Sequence, residues 1–134
     1  MRYLLDTNVC VDYLTGRYPS VGARLRALGS SDVCLSSVVV AELRYGADKS
    51  AHARRNHRLL DTLTDRVPCQ AFDAAAAASY GKVRSDLERR GRPIGPNDML
   101  IAGHALSLGL VLVTDNVREF GRVKGLDLEN WREG

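Results

Sequence analysis

The segment Leu110-Val111-Leu112-Val113 is apolar at every position. A strand-length run with no polar alternation fits a strand covered on both faces, as in the middle of a parallel sheet. Short strands are also expected at residues 2–5 and 33–35, each followed by a helical pattern. Residues 9–14 read as a helix stopped at Gly16. Ser20 is expected to cap a second helix, with Val21, Leu25 and Leu28 on one face and Gly29 beyond it. Ser36 or Ser37 caps a third helix through about Ala47, and a basic helix follows over residues 52–65. Residues 67–72 form a possible strand, kept short by Pro68. Asp73 then caps a long helix whose stripe is Ala76, Tyr80, Val83 and Leu87, ended by Gly91. Pro96 opens a helix that runs to Leu108 and closes at Gly109. A short helix at residues 116–120 and an edge strand near residues 126–128 complete the chain.

Strands alternating with helices predict an α/β fold, a three-layer α/β/α sandwich around a mainly parallel sheet. A chain of 134 residues suits one domain, expected over residues 1–134, with one core. No apolar run approaches the roughly 20 residues of a membrane helix, and the first residues lack the apolar region of a signal peptide. A cytoplasmic protein is expected. Cys10, Cys34 and Cys69 are odd in number and far apart. They read as buried, inert thiols in a reducing compartment rather than a disulfide or zinc framework.

In parallel α/β sheets, ligands bind beyond the carboxyl ends of the strands. Four acids fall there. Asp6 follows the first strand, Glu42 lies in the helix after the second, Asp98 in the first turn of the helix opened by Pro96, and Asp115 after the last strong strand. Singly, each has an ordinary role. Asp6 can cap a helix, Glu42 can be a helix-surface residue, Asp98 can complement a helix dipole, and Asp115 with Asn116 can make a turn. The apolar neighbours Val38, Val39, Ala41 and Leu43 suggest that the helix carrying Glu42 is mostly buried. Gathered at one rim, such carboxylates repel and raise one another's pKa unless a cation joins them. A donor set of oxygens alone calls for Mg²⁺ or Mn²⁺ rather than zinc. The matching chemistry is metal-assisted phosphodiester hydrolysis. The net charge of +3 leaves a basic remainder once these acids are set aside, which suits a polyanionic substrate.

Five segments resemble the PIN-domain nucleases, and more closely the VapC-type toxins of bacterial toxin–antitoxin pairs. They are Leu4-Leu5-Asp6-Thr7-Asn8, then Ser36-Ser37 with Ala41-Glu42-Leu43-Arg44-Tyr45-Gly46, then Ile94-Gly95-Pro96-Asn97-Asp98-Met99-Leu100-Ile101-Ala102, then Val113-Thr114-Asp115-Asn116-Val117-Arg118-Glu119-Phe120, and finally Leu128-Glu129-Asn130-Trp131. The resemblance implies an endoribonuclease with Asp6 and Asp98 as principal metal ligands and Glu42 completing an acidic triad. Asn8, Thr7 and Thr114 would support them. It also implies an RNA substrate, a homodimer, and a cognate antitoxin that blocks the site and carries the pair to DNA. The fourth acidic position of the family commonly lies two residues after the Thr, where this chain has Asn116. Asp115 stands one residue earlier, so the roles of Asp115 and Asn116 stay open.

Other residues are read as structural. His52 and His57, five apart, do not share a helix face as a zinc pair would. His104 reads as a hydrogen-bonded core histidine. Trp131 and Phe120 read as packing residues. The groups Arg54, Arg55, Arg58 and Arg84, Arg89, Arg90, Arg92 are solvated faces, with RNA contact open for either. The alternatives are a PIN nuclease of RNA processing that is no toxin, a Mg²⁺-binding receiver-like domain, and a silent binding module.

Overall fold

The computed structural model describes residues 1–29 and 31–132. The single domain expected over residues 1–134 extends to Glu133 and Gly134, which lie outside the described residues. Among these there are five strands and seven helices. β1 (Tyr3–Leu5) leads into α1 (Thr7–Thr15) and α2 (Pro19–Ala27), and β2 (Val33–Ser36) into α3 (Ser37–Lys49) and α4 (Ala53–Arg66). β3 (Cys69–Gln70) is followed by α5 (Ala74–Arg89) and α6 (Pro96–Leu108), and β4 (Val111–Val113) by α7 (Val117–Phe120) and β5 (Leu128–Glu129).

All pairings are parallel, in the order β3-β2-β1-β4-β5. Successive connections step from β1 outward to β3, and the chain then crosses back to β4. Because parallel crossovers are right-handed, the two directions of travel put α1–α4 and α5–α6 on opposite faces of the sheet. The layers are therefore helix, sheet, helix. The order reverses between β1 and β4, which makes the crevice beyond their carboxyl ends the expected ligand site.

The sheet is the core. Leu4, Leu5, Cys34, Leu35, Leu112 and Val113 are fully buried, and a buried aliphatic side chain of this size contributes roughly 1.5–3 kcal/mol by leaving water. The non-alternating runs thus belong to strands covered on both sides. On the helical layers, Ala76, Val83 and Leu87 of α5 are buried and Tyr80 is partly so. α5 and α6 touch so closely that a Cβ on Gly103 would lie 2.7 Å from the backbone nitrogen of Tyr80. Phe120 and Trp131 are buried, and Trp131 meets Tyr3 edge-on with ring centroids 5.2 Å apart. No helix among the described residues is long and apolar enough to cross a membrane.

Several local expectations need correction. Ser20 does not cap α2: Pro19 opens that helix after Tyr18, and the Ser20 hydroxyl instead donates to the carbonyl of Trp131 at 2.7 Å. Proline's fixed φ suits a first helical turn, which frees the serine for a distant partner. α3 is not mostly buried. It buries one stripe of Val39, Leu43 and Ala47, and Ala41 is exposed. β3 shrinks to two residues at the sheet edge, where Pro68 has no N–H to offer but its carbonyl accepts from Leu35. β5 starts two residues later than expected and ends one later. Cys10 and Cys34 are buried, and burial pushes the Cys34 thiol up to about 11. Cys69 is exposed, because its short edge strand leaves it uncovered.

Candidate active site

The rim above β1 and β4 is built by helix starts. Asp6 ends β1 and caps α1. One carboxylate oxygen accepts from the Thr7 backbone N–H at 2.8 Å, and the other accepts from the Thr114 hydroxyl at 2.7 Å. The Asp6 amide itself donates to the Val113 carbonyl, tying it to β4. Asp6 is therefore a helix cap whose rotamer is held from the start of α1 and from the residue after β4. Thr114 is oriented in turn by the backbone N–H of Asn116, which donates to its hydroxyl at 3.0 Å.

Glu42, on the second turn of α3, is held from two other helices. The Thr7 hydroxyl donates to one oxygen at 2.7 Å and the Asn97 amide to the other at 3.3 Å. Ser36 starts α3 by accepting from the Val38 N–H, and it also meets Nδ1 of the buried His104 at 2.8 Å. His104 is thus a hydrogen-bonded core residue, and burial lowers its pKa. Asp98 lies in the first turn of α6, where a helix N-terminus favours an anion. Gly95 precedes that helix, and a Cβ there would crowd the Asp98 carboxylate at 3.2 Å.

The carboxylates sense one another. Burial, first, and then the charges of Asp6, Glu42 and Glu119 push Asp98 up to about 6. Asp6 is also raised, by burial and by the charges of Glu42 and Asp115, against the lowering bonds from Thr114 and Thr7. Among the described residues, none of Asp6, Glu42, Asp98 and Glu119 forms an ion pair with a protein cation.

Glu119 was not anticipated as a member of this group. It sits on α7, accepts from the Asn116 amide at 3.0 Å, and adds charge at Asp98. A helical offset of three from Asn116 was the signal available for it. Asp115, which the sequence placed with the other acids, is differently engaged. It accepts from the Asn8 amide at 3.3 Å and from Arg132 at 2.9 Å.

The PIN domain family matches residues 3–126. The chain belongs to the PIN-domain family. Within it, the chain is similar to VapC proteins. The chain is 44% identical over 131 residues to the tRNA(fMet)-specific endonuclease VapC of Shigella flexneri, covering 98% of each, and 42% identical over 133 residues to ribonuclease VapC2 of Rickettsia felis, again 98% of each. Its fold matches a crystal structure of DNA-bound VapBC from Salmonella typhimurium with a TM-score of 0.93 at 39% identity, over 98% of each chain. It matches VapBC2 from Rickettsia felis bound to a promoter DNA fragment with a TM-score of 0.91 at 40% identity, over 98% of this chain and 99% of that one.

In this PIN domain the site adjoins an apolar groove of about 370 Å³. Thr7, Val11, Leu14, Glu42, Leu43 and Leu59 are among its lining residues, so it runs from the acidic rim between α1, α3 and α4. Val11 and Leu59 stay exposed along it. Elsewhere, the basic groups part ways. Arg84 pairs with Glu88, and Arg89 and Arg90 with Asp86, while Arg54, Arg55 and Arg58 are exposed on α4. His57 serves a local clip. Arg44 can only donate, so its bond to His57 Nδ1 at 3.1 Å leaves Nε2 to carry the proton toward Asp48 at 2.6 Å.

Proposed function

We propose that the chain is a divalent-metal-dependent endoribonuclease, the toxin of a toxin–antitoxin pair, working through Asp6, Glu42, Asp98 and Glu119. The observation that carries this reading is the like-charged rim without a protein cation among the described residues, in which Asp98 is pushed up to about 6. Such a cluster is electrostatically incomplete until a cation joins it. The names and assemblies of the VapC relatives support the RNA substrate and the partner.

The donor chemistry fits a hard ion, since the groups on the rim are carboxylate, amide and hydroxyl oxygens. Among the described residues, no three His, Cys, Asp or Glu side chains are placed to hold one ion together. Mg²⁺ is usually gripped by one or two carboxylates and completed by water, so it does not need such a cluster. Asp6 and Asp98 would hold it, with Glu42 beside them. Such an ion supplies Lewis acidity and neutralises charge in phosphodiester hydrolysis. The chain itself fixes the donors: Thr114 and the Thr7 N–H orient Asp6, while the Thr7 hydroxyl and Asn97 orient Glu42. The N-terminus of α6, beside Asp98, offers partial positive charge to a phosphate.

The antitoxin is proposed to lay an apolar segment in the groove between α1, α3 and α4 and to end over the rim. An RNA substrate places the protein in the cytoplasm. The homodimer, and an assembly on DNA through the antitoxin, belong to the same proposal. Initiator tRNA is the first substrate to offer, as the Shigella flexneri relative is named for it. Purified protein should cleave it with Mg²⁺ or Mn²⁺ and lose that activity in EDTA. Undiminished cleavage in excess EDTA would overturn the metal reading. Uncut RNA of every class with metal present would overturn the nuclease.

A further inference from the structure

Arg132 closes a second set of acids beside the first. Its guanidinium meets both oxygens of Asp12, through Nε at 2.6 Å and Nη2 at 3.1 Å, and reaches Asp115 through Nη1 at 2.9 Å. Asp12, on the buried side of α1, has a side chain only 4% exposed, and Arg132 itself is 25% exposed. The guanidinium also lies over the Tyr18 ring, 4.3 Å from its centroid. The turn that carries Arg132 is pinned by Ser20, whose hydroxyl lies within hydrogen-bond reach of the Trp131 and Arg132 carbonyls. Planar, forked and always charged, arginine suits such a three-way junction better than lysine.

The junction touches the catalytic rim through Asp115. That carboxylate is close enough to Asp6 to raise its pKa, yet it is turned to Arg132 with one oxygen and to Asn8 with the other. We propose that Arg132 is a positioning residue of the nuclease site, an internal cation that keeps Asp115 neutralised and bound to Asn8 and so out of the set of carboxylates open to a metal. The inference rests on the reading of the rim as a metal site. Without Arg132, Asp115 is free to turn to a bound ion. A fourth carboxylate beside Asp6, Glu42 and Asp98 would tighten the binding of a divalent ion and leave less of its charge for a phosphate.

The test separates this from plain stabilisation. Arg132→Gln also strands buried Asp12, so the comparison is made in an Asp12→Asn background. Calorimetric Mn²⁺ binding, kcat, KM for RNA, and thermal unfolding are measured for the wild type, D12N, D12N/R132Q and D12N/D115N/R132Q. In D12N/R132Q, Mn²⁺ binding should tighten severalfold while kcat falls by about 10-fold or more, the scale set by lost outer partners of a metal site. Removing the freed charge in D12N/D115N/R132Q should reverse both changes, and R132K should recover part of the loss. Binding and kcat falling together with unfolding temperature, or a D115N change that reverses neither, would overturn the inference. Wild-type protein that binds no Mn²⁺ would overturn the metal reading and this inference with it. Normal wild-type binding with unreversed variants overturns the inference alone.

Discussion

Two groups of carboxylates sit side by side at the top of one sheet and differ in a single respect. Asp12 and Asp115 share an arginine, whereas Asp6, Glu42, Asp98 and Glu119 share only one another among the described residues. The first group is a closed ion-pair junction that joins α1, the end of β4 and the turn after β5. The second has no such partner among the described residues, and burial first, then the neighbouring carboxylates, raises the pKa values of Asp6 and Asp98. Burial alone does not separate them, since Asp6 and Asp12 are 5% and 3% exposed. The difference lies in the counter-ion: Asp12 and Asp115 are neutralised from within by Arg132, and on the proposed reading the rim acids take theirs from a metal ion.

The comparison breaks most sharply at the unpaired acids. Asp6→Asn and Asp98→Asn should each lower cleavage by more than about 100-fold, beyond the usual cost of losing an outer partner, with the fold intact by circular dichroism. An active Asp98→Asn would erase the distinction between the groups. Next comes Glu119 against Asp115. Glu119→Gln should lower kcat by about 10- to 100-fold, while Asp115→Asn stays within about tenfold, because Asn can still accept from Asn8. Steady-state kinetics across a Mn²⁺ titration measures both, and the reverse order would exchange their roles.

The paired group should instead answer in stability. Asp12→Ala removes the bidentate pair and leaves Arg132 with Asp115 alone, at a cost of about 2 kcal/mol, between the exposed and the buried limits for an ion pair, measured by urea unfolding. A change below about 1 kcal/mol would make the junction an ordinary surface pair. The smallest effect is a pH slope. Asp98 binds its proton more tightly in the folded state, with a pKa of about 6 against an ordinary value of 3.8. The folded form therefore holds more protons between those values, and metal-free protein should grow more stable as pH falls from about 7 toward 4. Thermal melts in EDTA should show this slope in the wild type and a shallower one in Asp98→Asn. Equal slopes would mean that neither burial nor its neighbours raise the pKa of Asp98.

Legibility in the sequence followed the range of the interactions. Helix starts at Asp6, Ser36, Asp73 and Pro96 could be read because a cap or a fixed φ acts within three residues. Ser20 has the same chemistry as a cap, yet its hydroxyl went to Trp131, 111 residues away. The acids at strand ends were legible from the sheet rule. Glu119 was not, because α7 is a single turn whose direction depends on how it leaves β4. Asn97 and Thr7 gained their bonds to Glu42 only when α1, α3 and α6 met.

By itself, then, the sequence determined the alternation of buried strands with helices, the parallel sheet that follows, and the arrival of Asp6, Glu42 and Asp98 at one rim. These depend on apolar periodicity and on chain direction, which local residues encode. Tertiary structure alone decided which acids keep their charge unbalanced. Arg132 lies 120 residues from Asp12 and 17 from Asp115, and no spacing along a chain announces such a partner. A carboxylate's role is set by the nearest cation in space, and that distance exists only once the last turn is packed against the first helix.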